Sequence, residues 1–295
     1  MKSSRIAAVP FLFLAASVAA AQSKPLKVYI SVDLEGVDGI VHSDQTSAQG
    51  NEYARARKLM TEEVNSAIDG ALAAGATEIL VNDSHGSHRN LMIEELRPPA
   101  RLASNSIKPY GMMHGLDASF AAVIFIGYHA RAGSPVGVIA HTGSDAIADL
   151  KINGARVGES GMNTLFAASF GVPVVMITGD NVAVAQAREL TPDIEAVEVK
   201  EAIGTRSAIF RPVQEVRAAI RSTAEHAIRN LGAHHAVPLK APYTFEVTYS
   251  NTTLADIAEG IPAVKRAGPA TVTYTTDDFR AGYRLLRLLY AYLGN

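Results

Sequence analysis

Cysteine and tryptophan are absent from the 295-residue sequence, and aromatic residues make up only 6% of it. Without a thiol there can be no disulfide, no iron–sulfur cluster, no thiolate zinc site and no cysteine nucleophile. An excess of either charge is also missing: 27 basic residues face 29 acidic ones, a formal net charge of −2, and no basic block occurs anywhere. A nucleic acid needs a concentrated positive face, so it is not expected as a partner. The sequence has no His-Glu-x-x-His helix, no Gly-x-x-x-x-Gly-Lys phosphate loop, no Gly-x-Gly-x-x-Gly dinucleotide turn and no Gly-x-Ser-x-Gly elbow. What is present is a 48% apolar, 19% charged composition with nine histidines. That is too apolar for disorder and suits one large or two modest domains. A metal held by this chain must be held by imidazole and carboxylate.

The first residues have the three parts of a secretory signal peptide. Lys2 and Arg5 precede an uncharged apolar stretch from Ile6 to Ala21 that ends in Ala19-Ala20-Ala21. The stretch is short for a spanning helix and Pro10 interrupts it. Export to the periplasm or medium is therefore expected, with cleavage after Ala21 or one residue earlier. The mature chain then carries 25 basic and 29 acidic residues, or −4, and has no later segment suited to a bilayer.

From Leu26 onward, short β-rich apolar runs alternate with helical stretches, the pattern of a mostly parallel α/β sheet flanked by helices. The runs are Lys27–Val32, Glu78–Val81, Ala121–Ile126 and Pro173–Ile177, with a helix over Asn51–Ala74 and others over Gly161–Phe170 and Val182–Leu190. Asn153-Gly154 predicts a hairpin between Asp149–Ile152 and Ala155–Val157. Beyond Pro192 an amphipathic helix over Val213–Leu231, strands at Thr244–Tyr249 and Ala270–Thr275, and a last helix over Phe279–Leu293 suggest a smaller α+β part. The expected division is a catalytic domain over 22–195 and a C-terminal α+β domain over 196–295 packed on it.

Ligands of open α/β sheets collect beyond the carboxyl ends of the strands. There the chain carries Ser31-Val-Asp33-Leu-Glu35-Gly36, then Asn82-Asp83-Ser84-His85, then Tyr128-His129-Ala130-Arg131, and Glu159 at a helix start. Strand alternation places Asp33 and Glu35 on one side if β structure continues that far. Any one of these residues could be a cap or a loop hydrogen bonder. Several acids and histidines at one edge, without cysteine, suit zinc or manganese, and paired carboxylates call for a cation between them.

At these segments the chain resembles the D-aminopeptidase family of dinuclear zinc metallopeptidases. The matching stretches are Ser31–Gly36, Met60-Thr-Glu-Glu63, Leu80–His85, Gly127–Ala132, His141 after Gly137-Val-Ile-Ala140, and Val157-Gly-Glu-Ser-Gly-Met-Asn163. The resemblance implies two zinc ions per chain held by Asp33, Glu35, His85, His129 and Glu159, with Asp33 as the bridge. It implies that His141 is the catalytic acid/base and not a ligand, that the substrate is a short peptide, and that the chain forms a ring-shaped homo-oligomer. Thr142–Ala148 departs from the family pattern in being smaller and more polar, which bears on substrate preference if the loop lines the pocket. The reading that follows is an exported zinc aminopeptidase for short peptides, including those with D-residues such as cell-wall-derived D-Ala-D-Ala. The alternatives are a dinuclear hydrolase of phosphate esters or other non-peptide bonds, and a non-catalytic binder of peptide or metal.

Among the remaining polar residues, Asp83 and Asn82 are expected to orient His85 or cap a turn, and Asn163 to support the site or the substrate. Arg131 is expected either to bind a substrate carboxylate or to pair on the surface. His42, His88 and His114 are expected in loop or supporting roles, and His234-His235 in a solvated loop. Leu285–Tyr290 is expected to be the buried face of the last helix, although an oligomer contact would look the same.

Overall fold

The computed structural model describes residues 25–293; residues 1–21, the expected signal peptide, lie outside them. Two sheets organise the chain. The larger has seven strands in the order β3-β2-β1-β4-β7-β8-β9, with β1 at Lys27–Val32, β2 at Glu78–Asp83, β3 at Arg101–Ala103, β4 at Ala122–Tyr128, β7 at Val174–Asp180, β8 at Glu195–Gly204 and β9 at Ser207–Phe210. All its pairings are parallel except that of β9, which runs antiparallel to β8. The smaller sheet is antiparallel, in the order β11-β12-β10-β5-β6, from Lys265–Arg266, Thr271–Thr276, Tyr243–Tyr249, Ile147–Ile152 and Ala155–Arg156. Among the described residues seven α-helices complete the fold: α1 Ser43–Thr46, α2 Tyr53–Ala73, α3 Glu159–Ala168, α4 Asn181–Leu190, α5 Val213–Arg229, α6 Thr252–Ala258 and α7 Phe279–Ala291. Among the described residues no helix is long and apolar enough to cross a membrane.

The central strands are buried on both faces, and side-chain alternation divides them between two cores. Val28, Ile30 and Val32 of β1 join Met60, Val64 and Ile68 of α2 and Val216 and Ile220 of α5 on one face. Tyr29 of β1 and Phe125 of β4 face the other way, toward α3, α7 and the smaller sheet. Each large apolar side chain so buried contributes about 1.5–3 kcal/mol, enough to fix the register of the sheet.

The expected break at residue 195 is corrected by this topology. Glu195 is the first residue of β8, which pairs with β7 inside the large sheet, and α5 packs on α2 against the same sheet. Conversely, the Asn153-Gly154 hairpin belongs to the small sheet, where β5 pairs with β10. Both turn residues have positive φ, 50° and 82°, as a two-residue hairpin turn requires. The chain thus passes into the smaller unit for β5 and β6, returns for β7 to α5, and enters it again at β10.

In the large sheet β1 lies between β2 and β4, so the chain moves outward in one direction after β1 and in the other after β4. The strand order reverses between those two strands, which opens a crevice at their carboxyl ends. Asp33, Glu35 and His129 follow directly on them.

Candidate metal centre

The turn after β1 is tied to the end of β4. The Asp33 amide donates to the Ile126 carbonyl at 2.8 Å and the Gly36 amide to the Gly127 carbonyl at 2.8 Å. A Cβ on Gly36 would come 1.9 Å from the Tyr128 carbonyl oxygen, so only glycine permits this approach. Asp33 and Glu35 do share one side, but not by strand alternation: β1 ends at Val32 and both residues lie in the turn. Lys200 of β8 holds that turn from behind, its Nζ donating to the carbonyls of Glu35 at 2.6 Å, Val37 at 2.8 Å and Ile40 at 2.6 Å. Burial brings the Lys200 ammonium down to about 8.

Beside it, Glu63 of α2 accepts the Asp38 amide at 2.8 Å, and burial pushes its carboxyl from an ordinary 4.5 up to about 8. Between those values the folded chain keeps a proton that the unfolded chain releases. Stability from this group is therefore full below about 4.5 and is lost as pH rises toward 8. Glu63→Gln cannot lose it. Unfolding free energies of parent and variant should diverge between pH 5 and pH 8 in the variant's favour, by up to about 1.4 kcal/mol per pH unit; a parallel pH dependence in parent and variant would refute this.

His85 is positioned by the loop after β2. Asp83 accepts hydrogen bonds from the Asn90 amide at 2.5 Å, the Leu91 amide at 2.8 Å and the Asn90 side chain at 2.7 Å. Asn90 in turn donates to the His85 carbonyl at 2.7 Å. Asp83 thus orients His85 through Asn90, without touching the ring. Asn82 binds Lys108 Nζ and the Gly111 carbonyl and braces the same loop.

The side chains meet in one cluster. His85 Nδ1 lies 2.9 Å from Glu35 Oε2 and 3.4 Å from Asp33 Oδ1, while His129 Nε2 lies 3.4 Å from Asp33 Oδ2 and 3.3 Å from Glu159 Oε2. The two oxygens of Asp33 therefore face two different histidine–glutamate pairs, the placement a bridging carboxylate needs. Glu159 opens α3, where the helix dipole favours a carboxylate, and accepts the Gly143 amide at 2.6 Å. His141 Nε2 is 3.5 Å from the other oxygen of Glu159, and its ring stacks on His129 with centroids 4.1 Å apart.

Each imidazole has one nitrogen against a backbone carbonyl: His85 Nε2 on Thr46 at 2.8 Å, His129 Nδ1 on Ala130 at 2.9 Å and His141 Nδ1 on Ile139 at 2.9 Å. A carbonyl only accepts, so that nitrogen carries a hydrogen, and the other nitrogen faces the carboxylates, where a metal ion would take its lone pair. Asp33, Glu35 and Glu159 are 3%, 4% and 3% exposed. Burial opposes ionising Asp33, but hydrogen bonds to His129 and His85 hold it well below the ordinary carboxylate range. Burial likewise opposes charge on His85 and His129, and their carboxylate neighbours raise both well above the usual imidazole value. Glu35 Oε2 and His129 Nε2 are buried without hydrogen-bond partners. Ligand atoms of Asp33, Glu35 and His129, and of His129, His141 and Glu159, form two groups each within 4.8 Å. Three buried carboxylates around unpartnered nitrogen and oxygen atoms fit a divalent cation of the zinc type.

Not every expected residue joins the centre. Arg131 is not among the residues that line the cavity; its Nη1 pairs with Glu189 at 2.7 Å. Asn163 lies beneath the site, donating to the Tyr128 hydroxyl at 2.9 Å and accepting from the Tyr283 hydroxyl at 2.6 Å. His42 caps α1, and the His114 carbonyl accepts from Tyr29. His234 is buried, not solvated, and burial lowers its pKa.

A cavity of about 810 Å³ opens onto the cluster, bounded by Asp33, Glu35, His141 and Glu159 and by the loop Gly143–Ala146, which does line it. Its lining also includes Arg287 and Tyr290 of α7. The sequence pattern shows α7 only as an apolar face, and the cavity side of that helix is legible only in three dimensions.

Residues 26–288 match the D-aminopeptidase family of peptidases. The chain belongs to that family. A D-aminopeptidase of Bacillus subtilis is 36% identical over 269 residues, which are 90% of this chain and 96% of the relative. The solved structure of a Zn-dependent D-aminopeptidase from Bacillus subtilis, described as a self-compartmentalizing protease, superposes with a TM-score of 0.87 at 33% identity over 90% of this chain and 96% of that one. Family membership makes the chain an enzyme of the peptide-hydrolase class, and the two-sheet architecture is the one that relative shares.

Proposed function

We propose that the chain is a zinc-dependent aminopeptidase for short peptides, with D-residues at the N-terminus among its substrates. The observation that carries this is the convergence of Asp33, Glu35, His85, His129 and Glu159 around atoms without partners, in a chain whose relatives are D-aminopeptidases. Those five residues would hold two zinc ions, with Asp33 between the pairs Glu35/His85 and His129/Glu159. When bound, zinc supplies Lewis-acid polarisation of the scissile carbonyl and acidifies water near neutral pH.

The chain's own residues do the rest. His141 keeps a hydrogen on Nδ1, bonded to Ile139, which leaves Nε2 free toward the cavity edge. From there it takes a proton from the attacking water and returns it to the departing amine, with Glu159 Oε1 at 3.5 Å stabilising the imidazolium in between. The Gly143–Ser144–Asp145–Ala146 segment forms the wall nearest the reacting bond and sets side-chain preference; Gly143 is pressed against Tyr290, where a Cβ would meet the ring at 2.6 Å.

The reading extends to export, on the strength of residues 1–21, and to a closed homo-oligomer, on the strength of the self-compartmentalizing relative. It is tested on the mature chain by metal analysis together with hydrolysis of D-Ala-D-Ala, L-Ala-L-Ala and a phosphate ester. About two zinc ions per chain and chelator-sensitive release of D-alanine are expected. Cleavage of the ester alone would replace the peptidase reading by the phosphoesterase one, and no turnover with any substrate would leave a binder.

A further inference from the structure

Among the described residues Arg97, Arg131, Arg156, Arg217, Arg229, Arg266 and Arg280 each pair with an aspartate or glutamate, and others, such as half-buried Arg57 and exposed Arg211, donate to backbone carbonyls. Arg287 is set apart by burial: it is the one arginine buried among the described residues, at 5% exposed, and no carboxylate of those residues pairs with it. Its Nη2 donates to the Tyr292 hydroxyl at 3.1 Å, and its guanidinium lies 5.7 Å from the centre of that ring. A charge withdrawn from water without a counter-charge is costly, so a chain that keeps one there has something for it to meet.

The guanidinium is also fixed in place. It lies so close to Gly111 that a Cβ there would fall 1.8 Å from Nη1, and Gly111 adopts a φ of 47° that favours glycine. Neighbouring groups sharpen its isolation. Lys108 spends its ammonium on Asn82 Oδ1 and the carbonyls of Asp83 and Ala103. Burial first, and then Lys108 and Arg287, push His88 down to about 3, so its imidazole is neutral beside the guanidinium. The same cavity is lined by Asp33, Glu35 and Glu159.

We infer that Arg287 binds the free C-terminal carboxylate of a short peptide in the active-site cavity, and so selects substrates by their end and length. The inference rests on the peptidase reading above. A planar guanidinium receives a carboxylate through two parallel N–H···O bonds, and one already held by packing gives up little freedom in doing so. Arg131, for which a substrate carboxylate is one of two expected partners, pairs with Glu189.

The test compares D-Ala-D-Ala with its C-terminal amide, using the zinc-loaded full chain, Arg287→Met and Arg287→Lys. The parent is expected to favour the free acid through a lower KM. Arg287→Met should raise the KM for the acid about 10- to 100-fold, as loss of a charge-assisted bond does, while leaving the KM for the amide within about twofold, and Arg287→Lys should keep part of the preference. Equal use of acid and amide by the parent, or an equal loss on both in Arg287→Met, would overturn the assignment. Melting curves show whether each variant folds; if the methionine does not, the lysine variant and Arg287→Gln carry the comparison. Calorimetric titration of the same two peptides keeps the two readings apart. Acid-over-amide binding lost in the variant, without hydrolysis by the parent, supports the Arg287 site and removes the peptidase reading. Hydrolysis without acid-over-amide binding does the reverse.

Discussion

Replacing His129 by alanine is expected to cost the centre one of its two metal ions and to lower peptide hydrolysis by about three orders of magnitude or more. The position of Nε2, 3.4 Å from Asp33 and 3.3 Å from Glu159, makes it the nitrogen partner of one whole half of the cluster. Without it Asp33 and Glu159 remain buried with one imidazole fewer to offset them, and a divalent ion there loses its only nitrogen donor apart from His141. Metal chemistry supplies several kcal/mol of transition-state stabilisation, and each 1.36 kcal/mol is a factor of ten in rate, which sets the scale of the loss. Metal analysis after equilibration with zinc, run beside D-Ala-D-Ala turnover, reads both consequences. A third follows from linkage: zinc should raise the melting temperature of the parent and have less effect on the variant, because an ion bound only by the native state stabilises it by mass action. A His129→Ala protein that retains full zinc and full turnover refutes the ligand set.

The centre was largely legible in the sequence because its residues sit where a sheet's geometry forces them. Strands pair laterally, so Asp33, His85 and His129, each one or two residues past a strand end, arrive at one edge whatever lies between them. Glu159 adds a helix start, also a local signal. What was not legible depends on packing between distant segments. Nothing near Arg287 distinguishes it from any arginine on an amphipathic helix, and its role is set by Gly111 and Tyr292 and by the cavity that α7 happens to close. The same holds for Lys200, whose three acceptors lie 160 to 165 residues earlier in the chain. The division of the chain into two units was placed at residue 195 because composition changes there, but composition does not report strand partners. β8 alternates Val197 and Val199 with Glu198 and Lys200, a pattern compatible with several positions in a fold, and only its pairing with β7 assigns it to the large sheet. Asp33 and Glu35 reached one side by a turn locked against β4, where alternation along a strand would have had the same outcome by a different route.

His141→Ala should separate the chemistry from the metal. The ring stacks on His129 at 4.1 Å and its Nε2 lies 3.5 Å from Glu159 Oε1, so distance alone leaves it able to hold an ion or to move a proton. Two features favour the proton. It is the more open of the stacked pair, its side chain 18% exposed against 1% for His129, as a group that must meet substrate and solvent has to be. Its partner oxygen on Glu159 already accepts the Gly143 amide, whereas the other oxygen of Glu159 faces His129. Glu159 is thereby divided, one oxygen toward the metal half and one toward His141, which couples the imidazolium to a fixed negative charge. Removing a positioned general acid/base costs about 10²- to 10⁴-fold in rate, so kcat for D-Ala-D-Ala should fall by that amount with zinc content unchanged. The variant should still bind the dipeptide. If zinc content falls in His141→Ala as it is expected to fall in His129→Ala, His141 is a ligand and the proton must come from elsewhere in the cavity.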